Sequence, residues 1–147
     1  MKHPLHPALV HFPVACWSLA TLADLAGFGW PHWPLSQFAG AMLVAGCIGG
    51  LAAAAAGLAE LLKLPPDSPA AADANRHMLL ALAAWSLYAA SLLLRLEDRM
   101  PREPGVLALA ASVAGFLALA AAGWMGGRLV YVHGVGTAAA GGTTRRR

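Results

Sequence analysis

Four apolar runs separated by short polar stretches dominate the chain, at residues 8–30, 38–62, 77–94 and 105–132. An α-helix rises about 1.5 Å per residue, so about 20 residues cross a hydrocarbon core of about 30 Å. The pattern predicts an all-α integral membrane protein, an up-down four-helix transmembrane bundle forming one domain over 1–136. The remainder, 137–147, is Ala, Gly, Thr and Arg and reads as a disordered basic tail. The first run is long, opens with prolines and is interrupted by Asp24, which argues for a retained span and against a cleaved signal peptide.

Composition agrees with this reading. Of 147 residues, 59% are hydrophobic and 12% charged, against about 25% charged in an ordinary soluble domain. Four spans put both chain ends on one face. That face collects Lys2, Lys63, Arg76, Arg128, Arg145, Arg146 and Arg147, whereas the other has Arg95, Arg99 and Arg102. The bias makes the face with the termini cytoplasmic, in a bacterial inner membrane. The basic residues lie at membrane borders with no interleaved aromatics, so they point to lipid headgroups and not to nucleic acid.

Within the spans, Gly46 and Gly50 form one GxxxG and Gly123 and Gly127 another, both expected to let helices pack closely inside the bundle. No internal repeat or heptad pattern stands out. Cys16 and Cys47 read as small packing residues. Asp24 is expected to face the interior, His32 to lie at the interface, and Arg95 to Arg99 to form a solvated border. Trp85, Ser86, Tyr88 and Ser91 are expected to satisfy one another between helices.

The candidate chemistry lies in the histidines. Pro7 suits the first turn of a helix, placing His6 at its mouth and His11 about a turn inside. The up-down order then brings His11, Glu60, His77 and His133 to one membrane face, with His6 and Arg128 close by and His3 on the same side. Each helix contributes an ionisable group at similar depth. Isolated, such groups cost a few kcal/mol each, roughly; together they can share protons, hydrogen-bond or hold a cation.

Imidazole binds first-row metals, a carboxylate completes a common ligand set, and paired imidazoles in a bundle can hold a haem iron. The leading expectation is a redox or metal-binding membrane protein. In it His11, His77 and His133 are axial or metal ligands, with His6 as a further metal ligand. Glu60 is a ligand or the acceptor that orients an imidazole. Arg128 pairs with a haem propionate or with Glu60.

A b-type haem is favoured over a bare transition-metal ion, and the lack of CxxCH excludes covalent attachment. The competing expectation is a non-catalytic scaffold whose His/Glu cluster is a buried hydrogen-bond network. A transporter is disfavoured because, Asp24 apart, the far half of the bundle offers few ionisable groups. No nucleophilic triad or phosphate-binding glycine loop is visible, so an enzyme is not expected.

Several motifs together resemble the bacterial membrane family catalogued as domain of unknown function 2231. They are His6-Pro7 with Val10-His11-Phe12-Pro13, Ala56-Gly57 followed by Glu60, His77 opening the third span, Gly126 to Tyr131, and His133-Gly134-Val135-Gly136. The resemblance covers Leu5 to Gly136 and implies a small four-helix membrane protein of uncharacterised activity. Relatives joined to a Rieske-type iron–sulphur domain imply electron transfer with a redox partner protein. Two departures are apparent. Glu60 stands where the family often has Asp, and Ala81, Ala83 and Ala84 occupy the region where it often has an Asn.

Overall fold

A computed structural model describes residues 5–30 and 34–136. His3, His32 and the tail from 137 lie outside the described residues. Four helices follow in order: α1 Leu5–Gly27, α2 Leu35–Leu61, α3 Pro69–Leu94 and α4 Val106–Tyr131. Each is long and apolar enough to span a membrane.

Local chemistry sets the helix ends. Pro65 and Pro66 stand in the connection after α2, and Ser68 then caps α3 by accepting the Ala71 N–H at 3.1 Å, with Pro69 in the first turn. This cap starts α3 two turns before His77, earlier than the apolar run alone indicates. Between α3 and α4 the chain forms a small hairpin, β1 Leu96–Glu97 against β2 Met100–Pro101. Asp98 and Arg99 turn it with φ of 50° and 64°, as a primed turn demands.

The helices pack as two tight hairpins, α1 with α2 and α3 with α4. The hairpins share one design. His6, Trp17 and Asp24 of α1 keep the same spacing as His77, Tyr88 and Arg95 at matching positions on α3. Ala39, Leu43, Gly46, Ala53 and Gly57 of α2 match Ala108, Ser112, Gly115, Ala122 and Gly126 of α4, and nearly all are buried. The chain therefore contains an internal two-fold repeat, with its axis along the helices, as in parallel-repeat membrane proteins.

Matching residues meet on that axis. His6 faces His77 edge to face with ring centroids 5.9 Å apart, and Trp17 stacks on Tyr88 at 5.1 Å. At the far end Asp24 and Arg95 form a fully buried two-pronged ion pair, Arg95 Nη1 to Asp24 Oδ1 being 3.0 Å. Arg95 is thus not part of a solvated border: burying Asp24 requires a partner, and Arg95 supplies it.

Glycines admit the axial aromatics. A Cβ on Gly46 would lie 2.6 Å from the Trp17 ring, and one on Gly115 3.1 Å from Tyr88. The first GxxxG thus packs inside the bundle. The second does not: Gly123 faces open space, and its neighbour Gly126 is the residue that packs.

Trp85, Tyr88 and Ser91 of α3 bond to other helices and not to one another. Trp85 Nε1 donates to the Cys47 carbonyl at 3.0 Å. Tyr88 shares a hydrogen bond with Thr21 at 3.1 Å, and Ser91 with Ser112 at 2.8 Å. Cys16 and Cys47 are free thiols.

Candidate functional site

Between the two hairpins, at the end that carries the α2–α3 connection, lies a cavity of about 540 Å³. Its walls are mainly apolar, with His6, His11, Glu60 and His77 as the ionisable members. A ligand pocket commonly measures about 300–1,000 Å³ and combines apolar walls with a few convergent polar groups.

The two axial histidines are built alike. His6 Nδ1 lies 2.8 Å from the Ala53 carbonyl on α2, and His77 Nδ1 lies 2.8 Å from the Ala122 carbonyl on α4. A carbonyl only accepts, so each Nδ1 carries a proton and Nε2 is the nitrogen left to meet a ligand. One turn on from each carbonyl is a glycine, Gly57 beside the His6 ring and Gly126 beside His77. A larger residue at Gly57 would meet the imidazole at 3.0 Å. The ring planes of His6 and His77 are 82° apart.

Glu60 is otherwise engaged. Its Oε1 accepts the His6 backbone N–H at 3.1 Å, closing the first turn of α1 from a neighbouring helix. The acceptors that orient the imidazoles are therefore Ala53 and Ala122, not Glu60. His11 is exposed and lines the cavity from α1.

His133 and Arg128 belong to a separate cluster. Buried Asp73 accepts from His133 Nε2 at 3.0 Å, from Arg128 Nε and Nη2 at 3.3 and 3.1 Å, and from Arg76 at 3.1 Å. Arg128 thus pairs with Asp73 and not with Glu60, because the turn that begins α3 sets a carboxylate against the last turn of α4. Beyond α4, Gly134 and Gly136 take φ of 66° and 79°, and Val135 and Gly136 turn back into the cavity wall.

Among the described residues no three His, Cys, Asp or Glu side chains converge as a metal ion would require. The six residues expected to form one layer fall into a cavity group, His6, His11, Glu60 and His77, and the Asp73 cluster, Arg128 and His133. Residue types alone did not disclose Asp73, the two carbonyls or the two glycines. The Ala-x-x-x-Gly spacing common to α2 and α4 was the available signal.

Fold and site define a multi-pass membrane protein with a ligand-sized cavity on an internal two-fold axis. A family model described as "Predicted membrane protein (DUF2231)" matches residues 2–139, and the chain belongs to that family. No curated protein and no solved structure matches it.

Proposed function

We infer that the protein holds a b-type haem in this cavity, between His6 and His77, and carries electrons in the membrane. The observation that carries the reading is the matched pair of imidazoles, each fixed through Nδ1 and each left with Nε2 free. The two rings come from different hairpins and stand 5.9 Å apart by centroid at one cavity, so a turn of the edge-to-face rings would let both Nε2 atoms serve one ligand. Carbonyl acceptors behind metal-binding imidazoles are the usual means of fixing tautomer and raising basicity.

A haem suits the donor set better than a bare ion. It would ask only two side chains of the protein, and it would account for the apolar volume around them. When bound it supplies an iron that exchanges one electron. His6 and His77 would hold it, and Arg128, half exposed, with Nη1 unused by Asp73 and next in sequence to the cavity-lining Leu129, would offer a partner to a propionate. His11, Glu60 and His133 stand outside this pair. The electron partner would be a redox protein, and the excess of Lys and Arg on the face with the chain ends supports a cytoplasmic placement in a bacterial inner membrane.

The test is an absorption spectrum of detergent-purified protein, oxidised and dithionite-reduced, before and after haemin reconstitution. A six-coordinate low-spin spectrum, lost in His6→Ala and His77→Ala and kept in His133→Ala, is expected. No Soret band after reconstitution overturns the reading. One observation favours a second reading, a structural network without cofactor: Glu60, His6, His77 and the Asp73 cluster are all hydrogen-bonded already. Colourless, metal-free protein that unfolds on His77→Ala would support it.

A further inference from the structure

The two-fold repeat is broken at one place, and the break opens the cavity sideways. Between α2 and α3 the seam is closed by Trp85, which crosses to the Cys47 carbonyl at 3.0 Å. The residue of α1 that matches Trp85 is Val14, which is short and 36% exposed. On α4 the wall of the same cavity carries Gly123, exposed and facing open space. Both residues line the cavity, as does exposed His11 one turn along α1.

The end of the cavity toward the water is covered instead. Leu61 and Leu64 lie there, with Val135 and Gly136 of the chain that folds back after α4. The fold-back is held by Val135 N–H to the Leu129 carbonyl at 2.9 Å and by His133 on Asp73 at 3.0 Å.

We propose that the seam between α1 and α4 is the entrance to the cavity, and that its ligand is a membrane-partitioning amphiphile taken from the lipid phase. The walls fit the apolar body of such a molecule, and the polar groups gathered at one end, His6, His11 and His77, fit its polar part. The proposal rests on the cavity being a ligand site. It does not depend on the ligand being haem, so a protein without a Soret band leaves it standing.

The test uses full-length protein in liposomes with Cys16 and Cys47 replaced by Ala and a single cysteine at Ala81, which lines the cavity on α3. Two thiol reagents are compared, a lipid-soluble N-alkylmaleimide and a charged methanethiosulfonate, each rate normalised to that in SDS. The lipid-soluble reagent is expected to react at least tenfold faster. Val14→Trp, which copies the closed seam, and Gly123→Trp, which plugs it from the other wall, are each expected to slow that reagent tenfold or more. Equal normalised rates for the two reagents, or a lipid-soluble rate unchanged in both folded plug variants, overturn the proposal.

Discussion

Trp17 and Tyr88 occupy matching positions in the two halves of the chain and stack on each other, with ring planes within 5°. The same correspondence sets His6 on His77 above them and Asp24 on Arg95 below. The core of the bundle is thus a column of like-placed residues from α1 and α3, and its strength can be tested one level at a time.

At the bottom of the column, Asp24→Leu and Arg95→Leu each leave one buried partner alone. Each is expected to cost about 3–5 kcal/mol, the usual range for breaking a buried pair, while the double apolar variant costs clearly less than the sum. Unfolding in mixed SDS and neutral detergent measures both. Additive losses would contradict direct pairing.

In the middle, Gly46→Ala drives a methyl to within 2.6 Å of the Trp17 indole, and Gly115→Ala to 3.1 Å of Tyr88. Overpacking of this kind costs about 1–3 kcal/mol, so both variants should lose stability, Gly46→Ala the more. The same detergent titration compares them.

At the top, Gly57→Ala presses on the His6 ring at 3.0 Å, whereas Gly126→Ala meets His77 at an ordinary 3.4 Å. The His6 ring cannot yield without losing its bond to Ala53. Gly57→Ala is expected to cost about 1 kcal/mol net, and Gly126→Ala to be neutral or slightly stabilising through helix propensity, worth up to about 1 kcal/mol. If haem binds, only Gly57→Ala should shift its spectrum.

Asp73→Ala removes the acceptor shared by His133, Arg128 and Arg76. The segment after α4 should then loosen, and a cysteine at Val135 should react several-fold faster with a charged thiol reagent. An unchanged rate would mean that the backbone bonds at Gly134 and Val135 hold the segment alone.

Four spans were legible because burial in lipid demands long apolar helices, and that demand is written residue by residue. The gathering of His6, His11, Glu60 and His77 at one end was legible too, since up-down order fixes which helix ends share a face. Contacts were not. Asp73 stands inside the polar approach to the third apolar run and looks like a solvated residue, yet it organises Arg128 and His133.

The repeat was hidden for a physical reason. Residues that meet on a two-fold axis touch their own counterparts, and a buried Asp cannot face an Asp. Asp24 therefore answers to Arg95, and Trp17 to Tyr88. Likeness of letters fades where correspondence of position is tightest, and survives in the histidines, since two imidazoles can pack ring against ring.

The Asp24–Arg95 pair also decides what each hairpin can associate with. Two copies of the α1–α2 hairpin would bring carboxylate against carboxylate in a dry interior, and two copies of α3–α4 would bring guanidinium against guanidinium. Only the unlike pairing is neutral. The halves are therefore lock and key to each other and closed to themselves, and a membrane crowded with this chain has no route to swapping hairpins between like halves.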